Sequence, residues 1–311
     1  MKIINYKHDY IEDVLRCWNS TLQYDLITKE RFIETVLLDD NFQDDLMKLA
    51  IVDDHCVGFC YGVKRKFPYL ERGLEPERGW ISIMAVCEEY QHQGIGTKLV
   101  EEVEKALKEK GTSQITLCAY SPNYFTPGID ERYCKAIEFF TKMGYNNTSE
   151  AVSMQRDLWD YVIPEKTQKK IKDLNQEGIH FIPYQEKYLC DLLDFLLDNF
   201  GSGWKRNALM AMQKKEAEQT IILCVDKDDQ IIGFVMRKID GNDARFGPIG
   251  VKEELRSKGL GGVLLDLMMQ DLKARNIHYL YFLWTSGAAQ RFYVRHGFKV
   301  FRTYQLYRKE I

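Results

Sequence analysis

Two short stretches of this chain carry the residues best suited to chemistry. The first is Val86-Cys87-Glu88-Glu89-Tyr90-Gln91-His92-Gln93-Gly94-Ile95-Gly96-Thr97, and the second is Val251-Lys252-Glu253-Glu254-Leu255-Arg256-Ser257-Lys258-Gly259-Leu260-Gly261-Gly262. Each runs from a strand-like end through a polar turn into a helix-like segment, and each contains Gln or Arg, two residues, then Gly-x-Gly. Glycine lets the backbone come close to a ligand, and the first amides of a helix have no partner within it, so together they form an anion cradle. A pyrophosphate fits such a cradle. One elbow alone is equally well a tight turn at a helix start, but two copies at matched positions favour the binding reading. A Rossmann dinucleotide site is disfavoured: its glycines follow the strand at once in a parallel βαβ unit, whereas here a charged turn intervenes and an antiparallel hairpin precedes it.

The elements that must position the first elbow follow from periodicity and turn residues. A strand is expected at Lys2–Tyr6, helices at Asp9–Trp18 and Lys29–Leu38, and a hairpin of Leu46–Val52 and Cys56–Lys64 around Asp53-Asp54-His55. A strand at Trp80–Val86 leads into the elbow, a helix from Gly94 to Lys110 leaves it, and a strand at Gln114–Tyr120 closes the unit. The second half repeats this order with a strand at Ile179–Pro183, helices at Lys187–Phe200 and Trp204–Lys214, and hairpin strands Thr220–Val225 and Gln230–Arg237. Strand Arg245–Val251, the second elbow, helix Leu260–Arg275 and strand Ile277–Leu283 complete it. Gly58 and Gly233 stand 175 residues apart, Gly94 and Gly259 165, and Tyr145 and Phe298 153. The shrinking offset places two insertions in the first half, and insertions in one repeat usually decorate its binding face. Two domains are therefore expected, 1–160 and 178–311, joined by a linker at 161–177 whose Lys166, Lys169, Lys170 and Lys172 read as a solvated face.

Composition sets the class. The chain has 311 residues, 45% hydrophobic and 29% charged, which is globular and too long for one ordinary core. A net charge of −3 with interspersed signs lacks the basic stripe of a nucleic-acid binder. The polar start MKIINYKHDYIEDV and the lack of an apolar run of roughly 18 residues exclude a signal peptide and a membrane span from the reading, so a cytoplasmic protein is expected. Eight scattered cysteines read as reduced core residues. Cys56 and Cys60, with only His55 nearby, have poor spacing for zinc, and no metal is expected.

With its two Gln/Arg-x-x-Gly-x-Gly elbows and the order strand, two helices, hairpin, strand, elbow, helix, strand and helix, the chain resembles the GNAT acetyltransferase superfamily, twice, over nearly its whole length. The resemblance implies an α/β (α+β) fold of two tandem GNAT-like domains, each a mixed, mostly antiparallel sheet flanked by helices. It implies acetyl-CoA as cosubstrate. The pyrophosphate-binding residues carried over are Val86, Gln91, His92, Gln93, Gly94, Gly96 and Thr97 in the first half, and Val251, Arg256, Ser257, Lys258, Gly259, Gly261 and Gly262 in the second. Both elbows are expected to bind CoA.

Acetyl transfer needs an amine lone pair, donors for an oxyanion and an acid for the departing thiolate. The segment Ala289-Gln290-Arg291-Phe292-Tyr293 is similar to the family's Ala-x-x-x-Tyr, in which the tyrosine protonates the thiolate, so Tyr293 is the expected acid. The first half has Phe140 at that place, and phenylalanine donates no proton, which moves the expected chemistry to the second half. Trp284-Thr285-Ser286-Gly287 stands where the family often has an asparagine, and no carboxylate lies in Arg245–Val251 to serve as base. Glu253 and Glu254 read as solvated charges. The inserted loop Ser121–Asp130 is expected to wall an acceptor or CoA pocket, with Asp130 capping the following helix. The implied reaction is N-acetylation of a small-molecule or peptide amine. A non-catalytic acetyl-CoA sensor is the rival. A tRNA-dependent peptide-bond former is disfavoured by the two intact elbows and the acidic charge.

Overall fold

A computed structural model describes every residue from Met1 to Ile311. The first elements are β1 (Lys2–Asn5), α1 (Ile11–Thr21), α2 (Lys29–Phe32), β2 (Met47–Val52), β3 (His55–Val63), β4 (Arg78–Val86) and α3 (Ile95–Glu109). Then come β5 (Gln114–Leu117), β6 (Ile129–Asp130), α4 (Cys134–Lys142), β7 (Asn146–Asp157), α5 (Glu165–Gln176) and β8 (His180–Pro183). The chain continues through α6 (Leu189–Phe200), α7 (Ser202–Gln213), α8 (Ala217–Thr220), β9 (Ile221–Val225), β10 (Ile231–Arg237) and β11 (Phe246–Val251). It closes with α9 (Leu260–Ala274), β12 (Tyr279–Thr285), α10 (Gly287–Arg295) and β13 (Lys299–Glu310). No helix is long and apolar enough to cross a membrane.

Two compact units result: unit 1 is Met1–Val152 with Arg302–Ile311, and unit 2 is Ser153–Phe301. These bounds differ from the 1–160, linker 161–177 and 178–311 expected from the sequence. The stretch read as a linker forms α5 within unit 2, held by its own polar core: Thr167 Oγ1 and the Tyr161 hydroxyl both donate to buried Asp266, at 2.7 and 3.0 Å. The last ten residues return to unit 1 because Arg308, Lys309 and Glu310 pair with Thr116, Ile115 and Gln114 of β5.

The sheet of unit 1 runs β1-β2-β3-β4-β5, then the Arg302–Glu310 part of β13 and the first part of β7. Its β1/β2, β2/β3, β3/β4 and β5/β13 pairs are antiparallel, and β4/β5 is parallel. One face is covered by α1, whose Ile11, Val14, Leu15 and Trp18 recur at helical spacing and pack with Phe32, Phe59 and Trp80. The other takes α3, with Leu99, Val100, Val103 and Leu107 against Val57, Ile115 and Leu117. β5 is shorter than the expected Gln114–Tyr120, because Cys118 and Ala119 adopt left-handed φ values of 56° and 54° that no strand accommodates. The parallel pairing therefore ends at Ile81 and Leu117, with a last bond from Cys118 N to Ile81 O at 2.8 Å, and beyond it the two strands part.

Unit 2 repeats the plan. Its sheet has the order β11-β10-β9-β8 with antiparallel pairs, and β12 meets the start of β11 at the parallel bridge Arg245↔Tyr281. That bridge is the counterpart of Trp80↔Thr116, both residues displaced by the 165 that separates Gly94 from Gly259. The repeat thus holds at the level of register. Leu192, Phe195 and Leu196 of α6 pack on Ile221, Leu223, Phe234 and Met236, in the place that α1 takes in unit 1. Six of the eight cysteines are buried or half-buried as expected, while Cys134 and Cys190 are exposed, and all eight thiols are free.

Candidate functional site

Each elbow has the local geometry that its glycines demand. Gly94 and Gly259 take φ values of 78° and 82°, left-handed conformations that strain any residue with a Cβ, and each hands the chain into α3 or α9. Lys98 N bonds to Gly94 O and Val263 N to Gly259 O, so the amides before them face outward from the helix start. In the first elbow Gln91 folds back, its Nε2 donating to Val86 O at 2.9 Å. Gln93, bonded to Glu89 O, is exposed. In the second, Arg256 and Lys258 are exposed, Arg256 lying 3.6 Å from Glu253, and Ser257 takes a left-handed φ of 82°. The Lys170 Cε lies 3.7 Å from where a Cβ on Gly259 would stand, so one of the four lysines read as solvated sits beside that elbow.

A cavity of about 630 Å³ opens in unit 1 at the first elbow. Val86, Gln91, His92, Gly94, Gly96 and Thr97 line its mouth, which gathers every first-half binding residue named from sequence except Gln93. From there it follows β4 through Ala85, Met84, Ile83 and Ser82 to Ile81, on the side where β5 has turned away. Leu22 and Gln23 after α1, Thr126 and Gly128 of the inserted loop, and Tyr133, Phe139 and Phe140 of the α4 region complete the walls. The inserted loop does wall this pocket. It is anchored from behind by Asn123, whose Nδ2 donates to Asp39 at 2.6 Å.

One wall is a charged clasp that sequence reasoning missed. Arg302, from the returning strand, donates Nη1 and Nη2 to both oxygens of Asp25, at 2.8 and 3.0 Å, and Nε to Asp130 at 2.6 Å. Arg132 binds Asp130 at 2.6 and 2.9 Å, and the Tyr133 hydroxyl donates to Asp25 at 3.0 Å while accepting the amide of Tyr24. Asp130 is thus a strand residue gripped by two arginines and not the cap expected of it; the helix begins four residues later, at Cys134. Burial pushes its carboxyl up, but the bonds from Arg132 and Arg302 outweigh that and hold it below the usual carboxylate range. Burial and then Asp25 push the Tyr133 phenol well above its ordinary value. Both Asp25 oxygens are occupied, which makes this group a wall.

In unit 2 the corresponding positions carry more aromatic rings. Ile81 and Leu117 have Phe246 and Phe282 as counterparts at the 165-residue displacement. The Tyr293 ring lies 6.0 Å from Phe246, 4.4 Å from Phe282, 5.2 Å from Phe292 and 5.4 Å from Phe298. Burial pushes its phenol well above the ordinary range, with Arg245 opposing in part. The Phe200 ring, at the end of α6 where unit 1 has Leu22, covers β11 so closely that a Cβ on Gly250 would come within 2.4 Å of it. On the helix side, His296 Nε2 is 3.1 Å from where a Cβ on Gly262 would stand, and Phe292 lies against Gly261. Val251, at the end of β11, is buried.

Comparison with known proteins agrees with this fold. Residues 8–145 match the model of the acetyltransferase (GNAT) family, and residues 218–300 match a second model, the acetyltransferase (GNAT) domain. No curated protein matches in sequence. Among solved structures, a GCN5-related glucosamine N-acetyltransferase region in a fungal multi-domain GH3 β-N-acetylglucosaminidase has a TM-score of 0.79 at 21% identity; the match covers 99% of this chain and 38% of that one. A GCN5-related N-acetyltransferase from Sphaerobacter thermophilus has a TM-score of 0.73 at 16% identity, covering 99% and 95%. A tandem GNAT protein from the clavulanic acid biosynthesis pathway has 0.65 at 12%, covering 99% and 98%. At these identities the likeness is one of fold.

Proposed function

Since this chain belongs to the GNAT acetyltransferase family as a tandem two-domain member, we propose that it is an acetyl-CoA-dependent N-acetyltransferase whose chemistry is seated in unit 1. The observation that carries the choice of unit is the cavity of about 630 Å³ that joins the first elbow to the parting of β4 and β5. The elbow amides hold the pyrophosphate, and the pantetheine arm lies along β4. Past Ile81 the edge of β4 borders the cavity instead of a strand, so its amides can meet a carbonyl oxygen that gains charge. The acceptor nitrogen attacks the thioester carbon, the C–S bond breaks, one proton leaves nitrogen and one reaches the thiolate.

This reading shifts the expected site from the second half to the first. Tyr293 remains the second half's candidate acid, but its surroundings of four phenylalanine rings favour a packing role. The acceptor is a small-molecule or peptide amine, entering between the α1–α2 loop and the inserted loop, both of which line the cavity. A cytoplasmic setting is part of the reading, supported by eight free thiols. The test is release of CoA thiol from acetyl-CoA across a panel of amines. Turnover with at least one amine is the expected result; tight acetyl-CoA binding without turnover would make the protein a sensor instead.

A further inference from the structure

In β4, Tyr61 pairs with Ile83 and Gly62 with Ile81, so Ser82 is an extra residue with no partner on β3. This is a β-bulge, a device that breaks the alternation of a strand and re-aims a side chain. Ser82 is 1% exposed, and its hydroxyl has no hydrogen-bond partner in the protein. Buried hydroxyls are nearly always satisfied, so this one calls for a reason. Tyr61 and Thr112 carry the other such hydroxyls of unit 1, and neither borders the cavity, whereas Ser82 lines it. The bulge stands next to Ile81, where β4 and β5 part. From Val86 at the elbow to Ser82 is a run of roughly 13 Å along the strand, at about 3.3 Å per residue, a span suited to the extended arm between pyrophosphate and thioester.

Unit 2 supplies the contrast. There Val235↔Ile249 and Arg237↔Phe246 leave Met236 opposite both Gly247 and Pro248, the same bulge in the same register. The residue corresponding to Ser82 is Gly247, with a φ of 96° and no hydroxyl. The backbone device is common to both halves, and the hydroxyl is present only in unit 1, where it stands among the residues lining the cavity.

We propose that the Ser82 hydroxyl donates a hydrogen bond to the acetyl carbonyl oxygen and strengthens that bond as amine attack turns the oxygen into an oxyanion. The assignment rests on the acetyl-transfer reading of unit 1. It explains an unpaired hydroxyl that alanine would replace without loss of any bond within the protein.

Ser82→Ala tests it, with Ser82→Gly as a second variant that copies the other half. Both should lower kcat about 10²-fold, the typical effect of removing one oxyanion donor, and should leave KM for acetyl-CoA within about threefold. The melting temperature of Ser82→Ala should equal or exceed that of the wild type, which separates a catalytic loss from a damaged fold. If Ser82→Ala or Ser82→Gly, folded and binding acetyl-CoA, keeps kcat within about threefold of the wild type, the assignment is overturned while the acetyl-transfer reading stands. If the wild type itself releases no thiol with any amine, that reading falls and takes the Ser82 assignment with it.

Discussion

At the bulge of the parting strand, unit 1 reads Ile81-Ser82-Ile83 and unit 2 reads Phe246-Gly247-Pro248. Register, bulge and the left-handed glycine of the elbow are shared, yet the side chains along the two strands differ. Three exchanges toward unit 2 enlarge the wall, Ile81 to Phe246, Leu117 to Phe282 and Leu22 to Phe200, while Ser82 to Gly247, Ile83 to Pro248 and Ala85 to Gly250 reduce it. The backbone plan sets where a cleft can exist, and the volume of the side chains along it sets how much space is left. On the proposed reading, a glycine elbow by itself does not mark the working site; the space beyond it counts as well.

The comparison can be broken at several points. Removing Arg302–Ile311 should have the largest effect, because unit 1 would lose the strand paired with β5 together with the guanidinium that clasps Asp25 and Asp130. Acetyl transfer should vanish, and unit 1 should lose protection in a proteolysis assay. The single change Arg302→Ala should destabilise by about 1–3 kcal/mol, since Asp25 loses its ion-pair partner and keeps only the Tyr133 hydroxyl, while Asp130 keeps Arg132. The sign of its pH effect follows from Asp130, whose folded pKa lies below its unfolded one. That group's stabilisation is present above about pH 4 and lost as pH falls through the folded value. Arg302→Ala raises the folded value, so acid unfolding followed by circular dichroism should begin at a higher pH.

Next in size is Gly94→Asp. A left-handed φ of 78° strains the new side chain by about 1–2 kcal/mol, and its charge opposes the pyrophosphate, so kcat/KM should fall by at least about 10²-fold. A smaller loss, about tenfold or more, should come from giving unit 1 the walls of unit 2 with Ile81→Phe and Leu117→Phe. Overpacking should also lower stability by about 1–3 kcal/mol in a thermal melt. The smallest effect should belong to Tyr293→Phe, with kcat within about threefold of the wild type. A drop of about 10²–10⁴-fold, the usual worth of a general acid, would return the chemistry to unit 2.

The elbows, the repeat and the order of elements were legible in the sequence because they rest on local signals: glycines at fixed spacing, alternating strands and amphipathic helices. The inserted loop was legible as a pocket wall because it broke the repeat. What escaped was set by residues far apart in the chain. Arg302 meets Asp25 and Asp130 only because the last strand returns to unit 1, and no local pattern records that return. The choice between halves rested on Tyr293 against Phe140, a single position, while cleft volume depends on Leu22, Ile81 and Leu117 together. Ser82 did leave a trace, a lone hydroxyl within the apolar run Trp80-Ile81-Ser82-Ile83-Met84. Only the β3 register shows that a bulge carries it.

Hydrogen–deuterium exchange with and without saturating acetyl-CoA asks most directly which half holds the cosubstrate. The account predicts slowed exchange at Ile81–Val86 and across Glu88–Lys98, with Glu253–Val263 unchanged. Protection confined to Glu253–Val263, with the first elbow unaffected, would contradict it.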